Sequence, residues 1–289
     1  MKHSYVLTRT IALLLALVML LSFAACGDRT PQPSDDSSSS SDVSDSSSGL
    51  PAFINPLPEV DLGAINEPEL PTPDLLEKIN TAYNQNNDVV GWLNIPNTTI
   101  DNEVLHTTDN DYYLRRDITK AYNWYGCYYA DYECTFGDRN AMAKDTIIYG
   151  HSMDDNPEGL KFSQLKKFLD IDFAKNNPYI YLSTPEDNMA WKVFAVFYTD
   201  TNLSYINPHV KGADFLNLVN EAKERSQFNY DVDVNATDKL LTLSTCTYVY
   251  GSREDQRFVI MARLVRPGEK IEATVDVEKN PNPKAPQFK

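Results

Sequence analysis

Cations and histidines are scarce in this chain of 289 residues: 26 Lys and Arg stand against 41 Asp and Glu, a net charge of -15, and there are only four histidines. Nucleic acid is held through phosphate-neutralising cations, so this balance excludes it as a partner. The chain also lacks a glycine-rich phosphate-binding motif, an internal repeat and any Cys/His cluster with zinc spacing. Cysteine is sparse too, with four residues. Three of them, Cys127, Cys134 and Cys246, are too few and too irregularly placed for a disulfide framework. Cys127 and Cys134 lie seven apart in "CYYADYEC". On one extended strand their Cα atoms would stand about 23 Å apart against the roughly 7 Å a disulfide tolerates, so two unpaired thiols are expected unless a turn intervenes.

A long hydrophobic run is likewise missing. The run "IALLLALVMLLSFAAC" holds about fifteen apolar residues before Cys26, short of the roughly twenty that span a bilayer. Lys2, His3 and Arg9 precede it and small residues close it, the layout of an export signal. "FAAC" resembles the lipobox of bacterial lipoprotein signals, with Phe23 where leucine is usual. Residues 1–26 therefore read as a signal peptide with Cys26 as the lipidated residue, as an uncleaved signal anchor, or as a signal for free secretion. Either of the first two tethers the chain to the outer face of the membrane. Residues 27–70, with "GDRTPQPSDDSSSSSDVSDSSSG", hold too little apolar surface to offset chain entropy and read as a disordered spacer. That leaves one domain over 71–266 and a polar tail over 267–289, expected to be loose.

Within the domain, Leu75, Leu76, Ile79 and Tyr83 recur at helical spacing from Asp74 to about Gln85. Short β-rich pieces follow in "VVGWLNIPNTTIDNEVL" and the tyrosine-dense stretch 122–133, and "DTIIYGH" is a compact strand. "LKFSQLKKFLDIDFAKNN" is helical in spacing, "PYIYLST" and "MAWKVFAVFYT" flank a hairpin turn, and "ADFLNLVNEAKERS" is a further helix before "KLLTLSTC" and "RFVIMARL". Many short strands, few helices and no βαβ rhythm predict a mostly antiparallel sheet or barrel with added helices.

Chemistry concentrates in "TLSTCTYVYGSREDQRFVIMARL". A period of two puts Thr242, Ser244 and Cys246 on one face, and Arg257 opens the next apolar strand. Paired as a hairpin, these strands bring Cys246 and Arg257 to one sheet edge. An arginine there favours the thiolate and donates hydrogen bonds to an oxyanion. A proton donor is then required. His106 and His209 sit in polar segments, whereas His151 stands at the exit of a strand. Taken alone, Cys246 is as readily a small core residue, and Arg253 rivals Arg257.

"TLSTC", "RFVIMARL" and the upstream "IIYGHSM" together resemble the sortases, cysteine transpeptidases of the Gram-positive cell surface. "VVGWLNIPNTTID", "DNDYYL" and the helix between the sixth and seventh strands resemble class B in particular. The resemblance implies a closed eight-stranded β-barrel with an N-terminal helix. It also implies catalysis by Cys246 as nucleophile, His151 as general acid and Arg257 as oxyanion or backbone donor, without a cofactor. Ser244, Thr245, Tyr205 and Ile206 fall where the family contacts substrate. The implied partners are secreted proteins bearing a C-terminal sorting motif, cut after threonine, and an amine of a cell-wall precursor or pilin. An exported cysteine hydrolase and an idle surface-binding module are the competing readings.

Overall fold

Leu75, Ile79 and Ala82 are buried along one side of helix α1 (Asp74–Gln85) while Leu76 and Tyr83 on the other side are exposed, so a single apolar stripe fastens this helix to the sheet beneath. The computed structural model describes residues 74–288; the signal segment, Cys26 and the spacer lie outside them. Strands β1 (Val89–Asn94) and β2 (Asp101–Leu105) pair antiparallel, and β1 alternates buried and half-buried positions as a barrel wall does. Gly91 lets β1 approach β5 (Tyr179–Ser183) closely: a Cβ there would stand 2.4 Å from the Ser183 carbonyl oxygen.

The remaining wall strands are β3 (Tyr128–Ala130), β4 (Asp145–Tyr149), β6 (Ala190–Asp200), β8 (Leu240–Cys246) and β9 (Gln256–Leu264). They close in the order β1-β2-β3-β4-β8-β9-β6-β5, the eight-stranded barrel expected of the sequence. Most neighbours are antiparallel, but β2 with β3 and β4 with β8 run parallel. The second parallel pair positions the site. Because Tyr149 is opposite Ser244 and both strands run the same way, the residues that follow them, His151 and Cys246, leave the barrel at the same end. β6 is buried along nearly its whole length, because the barrel core lies on one side and Phe215, Leu218, Val219 and Ala222 of helix α3 (Gly212–Arg225) cover the other.

Three expectations are refined. Only Tyr128–Ala130 of the tyrosine-dense stretch is strand; the segment before it turns back through an Arg116–Tyr122 bridge and through Gly126, whose φ of 54° suits glycine. "FSQLKKFL" is a 3-10 helix (Phe162–Leu169) rather than an α-helix. Its buried Phe162, Leu165 and Phe168 repeat every third residue, the period of that tighter helix, and Asp170 then caps α2 (Ile171–Asn176) by accepting from the Asp172 and Phe173 amides. Finally, the segment after Pro267 is fastened rather than loose. Buried Val275 and Val277 anchor it, β10 (Val277–Lys279) pairs with β7 (Phe228–Tyr230), and Lys284 and Gln287 bond to Glu221 and Asp200. Two valines in a polar sequence supply the burial that composition alone conceals. Among the described residues no helix is long and apolar enough to cross a membrane.

Candidate active site

Cys246 closes β8 and its register partner across the antiparallel ladder is Arg257 of β9. Directly opposed residues point to the same face with Cβ atoms about 5 Å apart, so both side chains emerge on one face. Cys246 is partly exposed and unpaired, while Cys127 and Cys134 are buried, free, and pushed up to about 12 chiefly by burial, which leaves them inert as nucleophiles. Arg257 donates to the carbonyls of Glu254 at 2.7 Å and Gln256 at 2.9 Å and borders the same cavity as Cys246. Arg253 does not line that cavity; it makes a two-bond pair with Asp255 at 2.9 and 2.7 Å and lies over the Phe288 ring. The geometry therefore separates the two arginines that spacing left as rivals.

His151 stands two residues beyond β4 and is half-buried at the cavity wall. Its Nε2 is 2.8 Å from the carbonyl of Leu114, in the 3-10 turn Tyr112–Arg115. A carbonyl only accepts, so Nε2 carries a proton and Nδ1 is the free acceptor of the neutral ring. Burial, opposed by the Leu114 bond and reinforced by the Arg115 and Lys161 charges, holds the imidazole below its usual range. The ring is thus mostly neutral at pH 7 and available to take a proton.

Cys246, His151 and Arg257 share a cavity of roughly 260 Å³ at one mouth of the barrel, with Ser244, Thr245 and Ile206 also on its wall. Thr245 Oγ1 donates to the Gly150 carbonyl at 2.6 Å, tying the Cys246 strand to the His151 loop. Ile206 is exposed at the rim. Tyr205 is only 1% exposed and does not border the cavity; its hydroxyl bonds Ser244 Oγ at 2.9 Å from behind. Asn110, Leu114, Tyr129 and Tyr149 also line the cavity and escaped sequence reasoning. Their signal was faint: Asn110 sits inside "DNDYYL" and Tyr149 next to "GH", and only the fold shows Asp131 joining them, accepting from Asn110 Nδ2 and Tyr149 OH at 2.8 Å each. Among the described residues no group of His, Cys, Asp and Glu is placed to hold a metal.

A closed barrel that gathers a cysteine, a histidine and an arginine at one mouth has the chemistry of a thiol-dependent acyl transferase. Residues 93–265 match the family described as Sortase domain. The chain is 34% identical over 193 residues to sortase B of Listeria monocytogenes, covering 66% of this chain and 76% of that protein. Its fold is similar to a Staphylococcus aureus sortase B-substrate complex, with a TM-score of 0.58 and 25% identity over 66% of this chain and 86% of the other. A sortase B complexed with triglycine is similar at a TM-score of 0.57 and 26% identity, over 65% of this chain and 85% of that one. The chain belongs to the sortase family and is class B-like. It is a cysteine transpeptidase.

Proposed function

We propose that Cys246, as thiolate, attacks the carbonyl carbon of a threonine in the C-terminal sorting motif of a secreted protein. The observation that carries this reading is the direct cross-strand pairing of Cys246 with Arg257 at a cavity that His151 also lines. The thiol proton passes to Nδ1 of His151, the tetrahedral oxyanion receives hydrogen bonds from Arg257, and the imidazolium returns its proton to the departing amine as the peptide bond breaks. A thioacyl enzyme remains. An acceptor amine, of a cell-wall precursor or pilin subunit, then attacks the thioester, restoring the thiol and forming a new amide. The relatives solved with substrate and with triglycine support a peptide donor and an amine acceptor. Ser244, Thr245 and Ile206 contact the bound motif, and Tyr205 holds Ser244 in place. The domain works at the outer face of the membrane, tethered through lipidated Cys26 or an uncleaved signal anchor.

The test incubates the domain with sorting-motif peptides, with and without an amine acceptor, and looks for ligated product. Hydrolysis alone at every acceptor tried sinks transpeptidation in favour of a hydrolase. Cys246→Ala is expected to abolish turnover with the fold intact. Arg257→Lys keeps charge but loses the planar fork of donors and should lower kcat on the order of 100-fold, whereas Arg253→Lys stays near wild type. The reverse ranking overturns the arginine assignment.

A further inference from the structure

One ion pair, a buried lysine with a part-buried aspartate, touches the sequence neighbour of every proposed catalytic residue. Asp155, four residues after His151, accepts from Thr247 Oγ1 at 2.8 Å and from the Tyr248 amide at 2.7 Å, the two residues that follow Cys246. Its Oδ1 also meets Lys166 Nζ at 2.8 Å. The Lys166 side chain is 2% exposed; its ammonium reaches Ser152 Oγ, next to His151, at 3.2 Å and lies 5.2 Å from the ring centre of Phe258, next to Arg257. Thr247 is wholly buried, so its hydroxyl has no water to turn to.

Such a part-buried charge pair is a weak source of stability, because the cost of desolvating the lysine offsets much of the attraction. Its directional demands, however, specify geometry. The β4–β8 ladder pairs residues up to Tyr149 and Ser244, the Thr245–Gly150 bond carries the link one residue on, and β9 holds Cys246 itself; the His151 loop and the chain beyond Cys246 then run free of that ladder. Past those bonds, Asp155 and Lys166 join the His151 loop to the residues after Cys246 and so bear on the separation of imidazole and thiol. Burial raises the Asp155 carboxyl, but the bonds from Lys166, Thr247 and the Tyr248 amide outweigh it and hold the group below the usual carboxylate range, so the acceptor stays ionised at neutral pH.

We propose that Asp155, anchored by Lys166, is a positioning residue that sets the separation of His151 and Cys246 by holding Thr247 and Tyr248. This rests on the reading of Cys246 and His151 as the reacting pair. Misplacement of reacting groups by about 1 Å costs on the order of 100-fold in rate while leaving the binding wall in place, so the loss should fall on kcat rather than KM.

Thr247→Val deletes the hydroxyl while keeping the shape. It is expected to lower kcat about tenfold with KM within about twofold of wild type, and Thr247→Ser, which restores the donor, is expected to recover most of the loss. The charge-balanced double variant Asp155→Ala/Lys166→Met should fold and show a larger fall in kcat. Wild-type kcat in Thr247→Val, or a loss that Thr247→Ser does not restore, overturns the proposal even if the double variant fails to fold. A folded double variant with wild-type kcat overturns it too. Cys246→Ala run beside them separates the layers: residual turnover there means the active-site reading itself has failed.

Discussion

Among the carboxyl groups of the described residues, Asp145 is shifted strongly from its ordinary range. It is fully buried at the start of β4, accepts from Thr242 Oγ1 at 2.8 Å through Oδ1, and has no hydrogen-bond partner at Oδ2. Burial, opposed by the Thr242 bond and aided by Asp131, pushes its carboxyl from 3.8 up to about 8. The folded state therefore keeps a proton that the unfolded chain releases, and stability from this group falls as pH rises between about 4 and about 8. Asp145→Asn, which is neutral at every pH, should remove that slope. Its unfolding temperature relative to wild type is expected to improve steadily from pH 5 to pH 8. A parallel pair of curves over that range would mean Asp145 is ionised within the fold.

The informative elements are those whose partner lies far along the chain. The segment 280–288 runs beside α3, where Lys284 pairs with Glu221 at 2.7 Å and Glu224 at 3.1 Å, and it reaches the β8–β9 connection, where Phe288 packs on Tyr250 and under Arg253. Gln287 meanwhile donates its amide to Asp200 at the exit of β6. This segment thus ties together the two connections beside the site, those leaving β6 and β8. Phe288→Ala is expected to leave the barrel and β10 unchanged while hydrogen exchange quickens at the amides of Tyr250 and Gly251. Unchanged exchange there shows that the loop is held without Phe288, by the Gln256 side chain, which accepts from the Tyr250 amide and donates to the Gly251 carbonyl, and by the Gly251 amide's bond to the Tyr248 carbonyl.

At the scale of the whole molecule, the proposed anchoring and the catalysis belong to separate segments. If Cys26 carries lipid, cells fed a labelled lipid precursor should yield a labelled protein, and Cys26→Ser should lose the label while the released domain keeps its turnover on peptides; absence of label in the wild type counts against the lipoprotein reading. The sequence by itself determined the helix Asp74–Gln85, the hairpin of β5 and β6, and that the strands ending at Cys246 and starting near Arg257 meet at one edge, because each depends on a short period or a ten-residue connection; which arginine faces Cys246 it left open. The residues that "TLSTC" and "IIYGHSM" mark were legible for the same reason. Only the tertiary structure decided that β4 lies parallel to β8, that Arg253 is turned to Asp255 and Phe288, that Tyr205 backs Ser244, and that Asp155 joins two loops 92 residues apart. Each of these is a contact between segments distant in sequence. Local propensity carries no information about such pairings; they are selected by closure of the barrel and by burial of the polar groups it brings together.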